Sequence, residues 1–245
     1  MNQEKGSALI SVLIILLLIT VLGVIAVRQG LTSLNIATAA SANMLLEQAT
    51  DVALDKLENT DITVNISGGG PLGYLRLEGN LGKEYIFCYR PTQNTPRMFN
   101  INKDSILLPT GGIEGDVSGF CDVSKPEDYT SARSAVVTQV AVVRPVRPAI
   151  APPFEFFEKG TDPDTVKRPV QQRYVAYVTS VAPSLSNASD ASINECLRLP
   201  NDEETVASAG KPNAVADCLF ERGIPSNTQV QEYVLGGEVD VNIIN

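Results

Sequence analysis

Histidine and tryptophan are both absent from this chain of 245 residues. Without histidine it lacks the side chain most often used near neutral pH as general base, proton shuttle or metal ligand. Positive charge is scarce too, with 19 Lys and Arg against 28 Asp and Glu, a formal net charge of −9. That balance argues against a basic face for nucleic acid, although a small local basic loop is still allowed. Cysteine is sparse and widely spaced. Cys88, Cys121, Cys196 and Cys218 include no CxxC pair, which argues against a zinc or thioredoxin-like motif. No GxSxG elbow and no Cys–His pair occurs either, so the reading is not an enzyme and calls for no cofactor.

What is present is enough apolar material for a core: 44% hydrophobic and 19% charged residues, with room for one or two domains. All four cysteines follow the apolar N-terminus. An even number in that position suggests an oxidising compartment and disulfides. Three connectivities are possible, and four buried free thiols are the plain alternative; the sequence-local pairing Cys88–Cys121 and Cys196–Cys218 is the expectation. Closing loops of that size would restrict the unfolded chain by about 3–4 kcal/mol each in the entropic picture.

The long hydrophobic run is "KGSALISVLIILLLITVLGVIAVR", residues 5–28. Between Gly6 and Val27 there is no charge, and fifteen positions are Leu, Ile or Val. At about −0.4 kcal/mol apiece their insertion into a bilayer gains at most about 6 kcal/mol. A membrane span over residues 8–27 fits this length, which exceeds a secretory h-region. The cleavage-like "ATAASA" at 37–42 is separated from the run by Arg28 and a polar stretch, so a conventional cleaved signal is not the reading. Lys5 before the run and Arg28 after it give no clear orientation. The cysteines and the bulk of the chain favour a short cytoplasmic N-terminus and an exported C-terminal domain.

Beyond Arg28 the pattern turns amphipathic. Leu31, Leu34, Thr38, Ala42, Leu45, Ala49 and Val52 recur at steps of three and four, the period of one helix face. No proline occurs before Pro71, and only Gly23 and Gly30 interrupt the pattern. One helix from about Ser7 to Leu57 would be roughly 75 Å long, far more than a bilayer needs. It reads as an anchor running into a stalk, or as a helix that packs laterally against others like it.

Gly6-Ser7-Ala8-Leu9, with Leu13, Leu16, Thr20 and Gly23, then "LEQATDVALDKLE", resembles the N-terminal signature of PilX-type minor pilins of type IV pili. The resemblance covers residues 1–58. Its specificity lies in the combination of a very short leader ending in glycine, an immediate apolar helix, and an acidic, alanine-containing continuation. The K-type minor pseudopilins of type II secretion are similar, but typically carry a large inserted helical domain that this strand-rich chain is too short to hold. The resemblance implies a leader over residues 1–6, cut after Gly6 by a membrane-embedded prepilin peptidase. Ser7 would become the methylated N-terminal residue, although this position is usually phenylalanine. The helix of residues 7–58 would wait in the inner membrane with its domain in the periplasm. It would then enter a fibre through the inner-membrane assembly machinery, beside other minor pilins and the major pilin.

Ser11 is the fifth residue of the mature chain so defined, where major pilins resemble one another in carrying glutamate. That carboxylate's accepted role is to pair with a neighbour's N-terminal ammonium in an apolar surround, where an unpaired charge costs several kcal/mol. A hydroxyl can accept a hydrogen bond but cannot neutralise a charge. The defect costs least at the fibre tip, where no subunit lies ahead. Ser11 is therefore read as a determinant of tip position in a complex that starts assembly. The plainer reading is that Ser11 only back-bonds to its own helix.

Residues 59–245 make the exported part. "SGGGPLG" (67–73) reads as a turn and lacks the features of a phosphate loop. "EYIFCYR" (84–90), "AVVTQVAVV" (135–143), "RYVAYVTSV" (173–181) and "QEYVLGGEVDVNI" (231–243) read as strands, with a bulge or turn at Gly236-Gly237. The fold class expected is α+β and pilin-like: a long N-terminal helix packed on an antiparallel sheet with disulfide-closed loops. Prolines between the second and third strands argue against regular structure there. Phe154, Phe156 and Phe157 in that stretch make a candidate contact loop for a neighbouring subunit or an external ligand. Asp162 and Asp164, or Asn201-Asp202-Glu203-Glu204, offer oxygens without a full Ca²⁺ pattern, so no metal is expected. Glu155 and Glu158 are a carboxylate pair of the kind any acidic chain contains. The rival readings are an adhesin or DNA-uptake tip subunit, a type II secretion pseudopilin, and an anchored periplasmic enzyme.

Overall fold

A computed structural model describes residues 4–59, 62–67, 70–91, 103–130, 134–146, 168–202, 210 and 214–239. It divides into two compact units, Met1–Leu45 and Leu46–Asn245. Helix α1 runs unbroken over Glu4–Asn59. Leu, Ile, Ala and Glu are good to moderate helix formers, and the absence of proline lets the ladder continue. Hydroxyls that would otherwise compete with the backbone bond back to it: Thr20 Oγ1 donates to the Leu17 carbonyl at 2.8 Å and Ser41 Oγ to that of Ala37 at 2.9 Å.

In the second unit the end of α1 is followed by α2 (Ile62–Ile66) and α3 (Pro71–Leu75). The "SGGGPLG" stretch is thus more than a turn, because Pro71 opens α3 at the position where a missing N–H costs nothing. A side chain at Gly73 would fall 2.0 Å from the Ser67 carbonyl oxygen, so glycine is what lets α3 close on the end of α2. Among the described residues six strands follow: β1 (Glu84–Cys88), β2 (Ser105–Leu107), β3 (Ile113–Gly115), β4 (Val137–Val143), β5 (Arg168–Val181) and β6 (Ser226–Val239). They form one antiparallel sheet in the order β3-β2-β1-β4-β5-β6. Helices α4 (Asp190–Leu197) and α5 (Val215–Glu221) lie in the chain between the two long strands. The protein is therefore α+β, with two disulfides, Cys88–Cys121 and Cys196–Cys218.

Both faces of the sheet are covered. On one face Tyr85, Phe87, Val140, Val142, Tyr174, Ala176 and Val178 pack with Ala53 and Leu57 of α1 and Leu72 and Leu75 of α3. On the other, Cys88, Val137 and Val181 pack with Ile193, Leu197, Val215, Leu219 and the second disulfide. This is why β4 is buried at all seven positions and reads as a continuous apolar run rather than an alternation. β6 is fastened to α1 by polar bonds from its helix-facing side chains. Gln229 Nε2 donates to Asp51 at 2.7 Å and the Tyr233 hydroxyl to Glu58 at 3.3 Å.

Four differences from the sequence reading have local causes. The α1 residues buried in the domain are Leu46, Thr50, Ala53 and Leu57; of the periodic stripe Ala49 packs beside Leu46, whereas Leu45 and Val52 stay exposed, at 43% and 54%. β2 and β3, of three residues each, are additional strands. The register of β5 with β6 runs through Gly236 and Gly237 without a bulge or turn. Lastly, β5 starts at Arg168 and includes Pro169, because before Val175 it pairs with β6 alone and a proline costs no inner ladder bond.

Candidate functional site

The candidate site is the beginning of α1. Gly6, Ser7 and Ser11 all lie inside the helix. From Leu9 to Val27 every Leu, Ile and Val is exposed, between 46% and 67%, on all sides of the helix. Between Lys5 and Glu47 the only charge is Arg28. A helix apolar around its whole circumference is stable where its surroundings are apolar as well. By length and composition α1 is able to cross a membrane. The hydroxyl of Thr20, bound to the carbonyl of Leu17, presents no unsatisfied donor to such surroundings. Ser11 is exposed on this helix, within the apolar run.

Of the acidic and amide residues considered as metal ligands, the described ones, Asn201 and Asp202, serve the fold. Asn201 directs its donors inward: its backbone N–H and its Nδ2 both reach the carboxylate of Glu84, at 2.8 and 2.9 Å. The N–H of Asp202 adds a further bond at 3.0 Å. Among the described residues no group of three His, Cys, Asp or Glu side chains is placed to hold a metal ion. Phe154, Phe156, Phe157, Glu155, Glu158, Asp162, Asp164, Glu203 and Glu204 lie outside the described residues.

Among the buried polar residues that sequence reasoning misses are Glu84 and Gln139. Glu84 on β1 is wholly buried, and burial pushes its carboxyl up to about 7 against the opposing pull of the Asn201 and Asp202 donors. A lone acid in the otherwise uncharged "EYIFC" was the available signal. Gln139, inside the apolar run of β4, carried the same kind of signal. Around the first disulfide, Asp128 is buried against Arg90, and its second oxygen accepts from the N–H of Asp122 at 2.8 Å. These residues brace the loop that carries Cys121.

No protein-family model, no curated protein and no solved structure matches this chain.

Proposed function

We propose that the protein is a minor pilin of the PilX type, a structural subunit that helps to start assembly of a type IV pilus and sits at its tip. The observation that carries this reading is the character of α1. It is one helix, apolar all round in its first part and amphipathic in its last, where it packs on a disulfide-closed α+β unit. An anchor needs about 20 residues, so the remaining length calls for another use. Lateral packing in a fibre core is such a use, and exposed Leu31, Leu34, Leu45 and Val52 suit it. The long helix on an antiparallel sheet is also the pilin-like arrangement that the N-terminal resemblance implies.

In this reading prepilin peptidase cuts between Gly6 and Ser7, and the subunit passes from the inner membrane, with its domain in the periplasm, into the fibre. Other minor pilins and the major pilin are its partners. Ser11, unable to neutralise a neighbouring ammonium, confines it to the tip.

The test is the N-terminal mass of the protein from native cells with and without the peptidase. A chain that starts at Ser7 only when the peptidase is present supports the reading. An intact N-terminus in both strains removes it and leaves an ordinary anchor. Tip position is tested by Ser11→Glu, which is expected to lower pilus number or to spread the protein along the fibre. Unchanged tip labelling and pilus number in this variant would remove Ser11 from the explanation.

A further inference from the structure

The four cysteines lie in one shared cluster. Cys88 and Cys121 pack with Val123, Ile193, Cys196, Leu197, Val215, Cys218 and Leu219, and no cysteine is more than 5% exposed. Two side chains tie the disulfide-bearing segments together across this cluster. Gln139 stands opposite Cys88 in the β1–β4 register and is 3% exposed. Its Oε1 accepts from the N–H of Cys121 at 3.0 Å, while its Nε2 donates to the carbonyl of Leu197, next to Cys196, at 2.8 Å. One amide thereby spans both loops. Asn194 of α4 makes the same kind of tie. Its Oδ1 accepts from the N–H of Val123 at 3.0 Å and its Nδ2 donates to Asp122 at 2.6 Å.

We propose that the two disulfides form one redox unit, in which Cys196–Cys218 shields Cys88–Cys121 and Gln139 couples them. A thiolate must reach a sulfur to attack it, so a disulfide buried this deeply reacts only when the structure around it opens. The lobe of α4 and α5 carries the least buried of the four cysteine residues, Cys218, together with the outward Phe220, 84% exposed. Cys88, at the end of β1, is held in the sheet by its pairing with Gln139 of β4. Opening therefore begins at the lobe. Once the lobe parts from the sheet, Gln139 loses its Leu197 acceptor and the first disulfide loses its apolar cover. A buried amide with an unmade bond is unfavourable, so the segment of Cys121 is loosened in turn.

The chemistry is ordinary exchange with an added dithiol such as dithiothreitol. One reductant thiolate attacks a protein sulfur, the S–S bond breaks, and a mixed disulfide forms with release of the other cysteine as thiolate. The second reductant thiol then closes the reductant's own ring and frees the first cysteine. Each protein disulfide gives two thiols and one oxidised dithiothreitol.

The experiment uses the full chain in detergent micelles with limiting dithiothreitol, quenched by alkylation at intervals and read by mass spectrometry. The expected order is loss of Cys196–Cys218 before Cys88–Cys121 in every molecule. In a Cys196→Ala/Cys218→Ala variant, reduction of Cys88–Cys121 is expected to be at least tenfold faster than in the wild type. With Gln139→Met in both backgrounds that acceleration is expected to fall below threefold. Accumulation of a species lacking only Cys88–Cys121 would overturn the shielding. So would equal reduction rates with and without the second disulfide, and a full tenfold acceleration in the Gln139→Met pair would remove Gln139 as the coupling group. The order of reduction in the wild type decides the shielding even if the cysteine variant does not fold.

Discussion

A carboxylate sealed between two parts of the chain 117 residues apart makes the stability of this fold depend on pH. Glu84 is held in the folded state near pH 7, chiefly by burial, against an ordinary value of 4.5. Between those limits the unfolded chain has released this proton and the folded chain keeps it, so stability falls as pH rises through the interval and levels off above it. The effect has a ceiling on the order of 3 kcal/mol. Glu84→Gln has no proton to lose, so its urea midpoint is expected to change much less than the wild type's between pH 5 and pH 8. Equal pH dependence in the two proteins would exclude Glu84 as the source. The sequence around Glu84 announces only half of this. The lone acid in an apolar strand was visible, but its partners, Asn201 and Asp202, are supplied by a distant loop. The cysteine pairing was more legible, because its two loops each close locally, over 33 and 22 residues.

Among the elements, α1 shows what periodicity can and cannot settle. The three-and-four spacing of apolar residues belongs to the sequence, and with it the existence of an amphipathic helix. Which face meets the sheet is decided by neighbours that the pattern does not contain: Val136 and Ala182 against Leu46, and Leu72 and Leu75 near Ala53 and Leu57. One substitution at two adjacent positions tests that phase. Ala53 is fully buried, so Ala53→Gln overfills the core and strands an amide there, with an expected loss of about 3 kcal/mol or more. Val52→Gln, on the exposed side, is expected to stay within about 0.5 kcal/mol of wild type. Urea titration of both variants measures the contrast, and similar losses would mean that the packing face is misplaced. On the pilus reading Val52→Gln lowers incorporation into fibres while leaving the subunit stable. The strands divide in the same way. β1, β4, β5 and β6 carry enough β-branched and aromatic residues to be seen, whereas β2 exists because β1 offers it an edge and β3 because β2 then offers the next.

At the scale of the whole molecule, the question is what the second unit needs from the apolar helix in order to fold. Among the described residues every buried core residue lies at or beyond Leu46, and the three larger clusters are built from Ala53 onward. The first unit contributes exposed apolar surface instead, which is unfavourable in water and useful only in a membrane or against other helices. Removing residues 1–30 is therefore expected to leave a soluble protein that keeps both disulfides, all six strands and all but one of the acidic residues. It should unfold in a single cooperative transition, because both faces of the one sheet share the same strands. Circular dichroism melting with alkylation of any free thiols measures this. A broad melt or reactive cysteines would show that the core draws support from the deleted segment. Sent to the periplasm behind an unrelated cleavable secretion signal, the same truncated chain separates folding from assembly: it lacks Gly6, Ser7 and Ser11, so on the pilus reading it folds normally there, is never cut by prepilin peptidase, and leaves a mutant deficient in pili uncorrected. Restoration of pili by the truncated protein would place the function in the second unit alone and remove the apolar helix from the mechanism.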